Sequence, residues 1–146
     1  MKRLIKIIMA IIISSFAVWA VMVFGATYST TYSVSWDESE RFSDEELQAA
    51  ADYVLKQFET GYKGCTLKRV YYDEVESVKL AASYIDEPQY DIYGMDPNDI
   101  IVLFSDFRTG IRSGSFEPNS NYDGWTWYLI RDGKGQPWRE YSHGYA

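Results

Sequence analysis

Asp99-Ile-Ile-Val-Leu-Phe104-Ser-Asp-Phe107 and, beyond a loop rich in Gly, Ser and Asn, Trp125-Thr-Trp127-Tyr-Leu-Ile130-Arg131 decide how this chain folds. Both runs are dense in β-branched and aromatic side chains, which suit a pleated, half-buried surface, so they read as adjacent strands of one sheet. In the second run Trp125, Trp127 and Leu129 face one way and Thr126, Tyr128 and Ile130 the other, because successive strand side chains alternate. Both faces are apolar. Helices on one side only would not require that, so the second face is expected to be partly covered or to curl into a concavity.

Downstream, Trp138 to His143 reads as a further strand, joined through Asp132-Gly-Lys-Gly-Gln136 in a wider hairpin. Upstream, Ser43-Asp-Glu-Glu46 has the form of a capping box, with three carboxylates at the positive end of a helix. Leu47, Ala50 or Ala51, Val54 and Phe58 follow at three- and four-residue steps and Gly61 offers a stop, which predicts a helix over 43–60. Thr66 to Tyr72 reads as a strand. Asp73, with Glu76 three residues on, caps a second helix whose apolar stripe is Val75, Val78, Ala82 and Ile85. Residues 86–98 are loop by their Pro, Gly and Asp content, and 108–123 form a long connection.

At the other end, Lys2, Arg3 and Lys6 precede Ile7 to Ala26, an uncharged run of 20 residues. At about 1.5 Å per residue this run reaches roughly 30 Å, the hydrocarbon thickness of a bilayer. It is expected to be a retained transmembrane anchor. The alternative is a cleaved signal peptide ending near Val18-Trp-Ala20 or Val23-Phe-Gly25. Either way, the positive charges before the run place the N-terminus in the cytoplasm and the domain outside. Residues 27–42 read as a mobile linker or an edge segment, with a short strand through Tyr32 and Val34 as the lesser option.

The expected class is therefore α+β. An N-terminal transmembrane helix within 1–26 is followed, over 43–146, by two helices packed on a curved, mainly antiparallel four-stranded sheet, in the order α-β-α-β-β-β. That layout is similar to the cystatin-like and nuclear transport factor 2-like arrangement. Gly64-Cys-Thr-Leu67, Tyr71-Tyr-Asp73, Ile101 to Phe107, Gly114 to Tyr122 and Trp125 to Asp132 also resemble an uncharacterised family of small exported or membrane-anchored proteins of Gram-positive, clostridia-type bacteria. The resemblance covers about residues 43–145 and implies an envelope location and no particular activity.

Charge narrows the partners. All 21 acidic residues lie after Trp36 with 11 of the 14 basic ones, so this part carries 11 − 21 = −10. Such a field repels phosphate backbones and argues against nucleic acid. Cys65 is the sole cysteine, so no intramolecular disulfide can form; it reads as a small buried hydrophobe.

No residue set demands a particular chemistry. Asn119, Asn121 and Asp123 alternate like the opening of a calcium loop, but the first position is Asn and the twelfth is Ile130, where a bidentate Glu belongs. An Asx-stabilised turn is the simpler reading, and no metal or cofactor is expected. His143, the single histidine, could pair with Cys65 or Ser142 as a nucleophile and base, yet no nucleophile elbow is present. Asp106, Glu117 and Asp123 lie near strand ends and could form a carboxylate pair. Trp125, Trp127 and Trp138 are core if buried and a partner or sugar platform if exposed. The candidate binding residues are thus Trp125, Trp127, Trp138, Asp106 and Glu117. The expectation is a membrane-anchored extracytoplasmic binding or interaction module for an envelope protein or small ligand. A small envelope hydrolase or a glycan binder working from the concave side of the sheet is the alternative.

Overall fold

The computed structural model describes residues 31–145. The anchor expected at 7–26 lies outside them, and no helix among the described residues is long and apolar enough to cross a membrane. The elements are β1 (Ser33–Trp36), α1 (Asp44–Gly61), β2 (Cys65–Tyr72), α2 (Glu74–Ile85), a 3-10 turn (Pro97–Asp99), β3 (Ile100–Thr109), β4 (Asn121–Ile130) and β5 (Arg139–Gly144). The strands form one five-stranded sheet in sequential order, with β1 parallel to β2 and the other pairs antiparallel. The expected four-stranded sheet is corrected to a mixed five-stranded one.

The extra strand comes from the stretch read as linker. Ser33 to Trp36 pair in register with Arg69 to Tyr72, and Val34 and Trp36 pack inward while Ser33 and Ser35 face solvent. Four residues alternating around two apolar side chains are too few to stand out from a hydroxyl-rich tract; only the ready-made edge of β2 selects them. Because a parallel neighbour requires a crossover, α1 is that connection. Between β1 and α1 the chain is held down: the Ser39 hydroxyl donates to Glu74, Trp36 Nε1 donates to Asp44 at 3.0 Å, and Phe42 is buried.

α1 forms as its sequence dictates. Ser43 caps it, accepting from the Glu46 amide at 3.3 Å, while Glu46 accepts from the Ser43 amide at 3.0 Å. Leu47, Ala50, Ala51, Val54 and Phe58 are its buried face. They pack on Leu67, Val70, Ile101, Leu103, Phe107, Trp127 and Leu129.

The opposite face is covered by α2 and the loop after it. Ala81, Ile85 and Ile92 meet Ile100, Val102, Phe104, Tyr128 and Ile130. One helix lies on each face, so of the two outcomes expected for the apolar second face, coverage is the one found. The stripe of α2 also differs from the expected one. Its buried line is Ser77, Ala81 and Ile85, whereas Val75 and Val78 are exposed. The cause is a backbone need: pairing of β2 with β3 stops at Tyr71 and Phe104, leaving the Val102 amide beyond the last rung. The Ser77 hydroxyl accepts it at 3.0 Å, so a polar residue faces the sheet where periodicity favoured an apolar one.

The long β3–β4 connection is tied down rather than loose. The Thr109 hydroxyl donates to the Glu117 carbonyl at 2.6 Å and accepts the Ser120 amide at 2.8 Å, and the Gly110 amide donates to the Gly64 carbonyl at 2.8 Å. Gly64 has φ +78°, and a Cβ there would overlap the Arg112 carbonyl.

Candidate functional site

The expected site residues separate in space. Trp127 is fully buried, with its Nε1 donating to Ser105 Oγ at 2.9 Å, so it presents no ring face to a ligand. Trp125 is half-buried among Phe107, Phe116, Tyr122, Tyr145 and His143, and its Nε1 donates to Tyr62 Oη at 3.1 Å. Burial pushes the Tyr62 phenol up to about 12.

Asp106 sits where two bulges adjoin. It faces both Asp123 and Gly124 on β4, and Arg69 on β2 beyond the extra Lys68. One carboxylate oxygen accepts the Gly124 amide at 2.7 Å and the other pairs with Arg69, whose guanidinium lies 4.2 Å over the Tyr71 ring. Both oxygens are occupied in holding the bulged strands, a structural duty. Glu117 is exposed on the β3–β4 loop, held through its backbone to Thr109 and Tyr122.

The calcium candidates do not converge. Asn119 turns the chain at φ 54°, Asn121 Oδ1 accepts from the Lys68 ammonium at 3.0 Å, and Asp123 is exposed on β4. A cation is already at Asn121. His143 Nδ1 lies 2.7 Å from Glu140 Oε1 on the same strand. Cys65 is on β2, three strands away in the sheet, a separation of about 14 Å at the usual interstrand spacing, too far for nucleophile and base.

A concave feature among the described residues lies elsewhere, between α1 and the β4–β5 hairpin. A groove of about 570 Å³ is lined by Glu45, Ala49, Asp52, Tyr53, Pro137 and Trp138, among others. A second depression of about 530 Å³, toward Trp36 and Gln48, shares Glu45, Ala49 and Asp52, so the exposed ridge of α1 borders both.

The floor is built around Arg131, at the end of β4. Its side chain is 3% exposed. It donates to Glu46 Oε1 at 2.6 Å, to Asp99 Oδ1 at 3.1 Å and to the Asn98 carbonyl at 2.8 Å, and its guanidinium lies 4.5 Å above the Trp138 ring. Trp138 Nε1 in turn donates to the Glu46 carbonyl at 3.3 Å, and Tyr53 Oη accepts the Glu140 amide at 3.1 Å. Glu46 therefore caps α1 with one oxygen and binds Arg131 with the other. Burial alone would raise its carboxyl, but the Ser43 amide and the Arg131 guanidinium together hold it below the usual carboxylate range.

No family model, curated protein or solved structure matches this chain.

Sequence reasoning named Trp138 but missed the groove and Arg131. The available signal was a charged residue directly after four apolar or aromatic strand residues, Trp127 to Ile130, a place where burial demands partners. Its partners come from α1 and the 3-10 turn, 85 and 32 residues earlier. The rim residues Glu45, Ala49 and Asp52 looked like an ordinary solvated helix face, and only the hairpin opposite makes them one wall of a cleft.

Proposed function

We propose that this chain is a membrane-anchored extracytoplasmic binding module that engages an envelope protein through the groove between α1 and the β4–β5 hairpin. The observation that carries the reading is the groove's construction. Its floor is aromatic and the polar atoms of that floor are already paired to one another, so it offers shape and an apolar surface, with the carboxylates of Glu45 and Asp52 on its α1 wall. Among the described residues every buried side-chain nitrogen and oxygen has a hydrogen-bond partner; unsatisfied groups of that kind are what often mark a reactive site. Well-packed aromatic surface in a preformed depression is what anchors partner side chains. The charge-poor run at 7–26, with its basic flank, supports placing the module at the membrane with the domain outside.

The test is site-specific photo-crosslinking of the full-length chain in its own membrane, with the photoreactive residue at Gln136 on the groove rim or at Glu59 on α1 outside it. A discrete crosslinked protein from Gln136, absent from Glu59 and lost when Ala49→Arg fills the groove, is the expected result. Equal crosslinking from both positions, or persistence in the filled variant, would remove the groove as the binding site.

A further inference from the structure

We infer that the occupant of this groove is a basic peptide segment in polyproline-II conformation, carrying Lys or Arg at two positions three residues apart. The inference rests on the groove being the interaction site and adds what its partner is made of. Glu45 and Asp52 stand on the wall shared by both depressions, with Ala49 between them. Seven residues are about two helical turns, which puts the two carboxylates on one face roughly 10.5 Å apart. A polyproline-II segment repeats its face every three residues at about 3.1 Å each, so side chains at i and i+3 recur about every 9.3 Å. Flexible Lys or Arg stems close the small difference. Between the two carboxylates the small Ala49 leaves the wall low, and Tyr53 and Pro137, with the small exposed part of the otherwise buried Trp138, supply the ring surface on which such a segment docks.

Charge complementarity selects a cationic occupant. The acids lining the two depressions are Asp44, Glu45, Glu46 and Asp52 and the bases are Lys56 and Arg131, with Lys134 on the hairpin near enough to act on Glu46. Arg131 and Glu46 satisfy each other, and Asp44 accepts from Trp36. Asp52 accepts only a neutral Gln48 amide at 2.8 Å, and Glu45 has no salt bridge or side-chain hydrogen bond among the described residues. Two carboxylates without a cation thus face the groove, in a domain whose overall charge is strongly negative. Lys56, one turn beyond Asp52, repels a third positive charge and sets where the basic segment ends.

The probe is a fluorescein-labelled Gly-Lys-Pro-Leu-Lys-Pro-Gly peptide, read by fluorescence anisotropy against the full-length chain in detergent micelles. Saturable binding is expected, with no binding by the same peptide carrying Glu for both Lys. Glu45→Lys with Asp52→Lys is expected to weaken binding about tenfold or more, whereas Glu59→Lys with Glu87→Lys, an equal charge change away from the groove, leaves it within about twofold. Ala49→Arg fills the groove while keeping a strong helix former, and is expected to abolish binding even if the charge-reversed chain folds poorly. Equal weakening by both charge pairs would reduce the effect to bulk charge and overturn the inference. So would displacement of the peptide by spermidine at equal charge, which would make this a small-polycation site, or absence of saturation up to about 1 mM. A groove-specific crosslink from Gln136 with no binding of the basic peptide would leave the module standing and refute the basic partner.

Discussion

Replacing Arg131 with Ala removes the one side chain that joins the start of α1, the 3-10 turn and the end of β4. Arg131 is 3% exposed and its two carboxylate partners, Glu46 and Asp99, are 18% and 20% exposed. Removing one member of a buried charge network costs about 3–5 kcal/mol, because the partners stay buried without compensation. Here the two carboxylates retain some water, which screens them, so the lower end, about 3 kcal/mol, is expected; loss of the guanidinium over Trp138 contributes about 1 kcal/mol within that figure. For a domain of this size the loss corresponds to a fall in Tm of roughly 12 °C. Urea unfolding followed by tryptophan fluorescence measures it, and a double-mutant cycle with Glu46→Gln should return a coupling of about 1–3 kcal/mol. A loss below about 1 kcal/mol, or additive single effects, would refute the account of Arg131 as the member on which the groove floor depends.

Three further outcomes follow from the same geometry. Glu46 and Glu74 are both held below the ordinary glutamate value of 4.5, Glu74 because the Ser39 hydroxyl and the amides of Glu40 and Arg41 outweigh its burial. Their folded pKa values lie below the unfolded ones, so their stabilisation is full above pH 4.5 and is lost as pH falls through the folded values. Tyr62 shifts the other way, from 10.0 to about 12 through burial, so its contribution is full below pH 10 and is lost as pH rises through about 12; thermal melts across pH should show a plateau bounded on both sides. Ser77→Ala leaves the buried Val102 amide without its acceptor and should cost about 1–3 kcal/mol, with faster amide exchange at Val102 as the specific signature. Gly64→Ala forces a Cβ into the Arg112 carbonyl at positive φ; a loss of stability with proteolytic sensitivity gained in the β3–β4 loop is expected, and an unchanged digestion pattern would count against that packing.

The elements that could be read directly are those whose cause is local. The capping box at Ser43 and Glu46 and the three-and-four spacing from Leu47 to Phe58 involve residues within a few turns of one another, and α1 runs over Asp44–Gly61 with that face buried. Alternation in Trp125 to Ile130 gave the correct division between the two cores. Misreadings arose where a distant element supplied the cause. β1 becomes a strand because β2 offers an edge, and α2 turns Ser77 inward because a strand lacks its last rung. Asp106 resembled a candidate acid, and its role as the holder of two bulges depends on strand register, which a one-residue slip would erase.

Composition and periodicity thus determine an acidic α+β domain with two capped helices and a sheet apolar on both sides, since each of these depends on nearest neighbours along the chain. Which helix covers which face, where Arg131 finds its carboxylates and why an ordinary polar helix face becomes the wall of a groove are decided by tertiary structure. These depend on pairs 32, 85 and 92 residues apart, and contacts of that range are set by crossovers and register, which no window of local sequence contains.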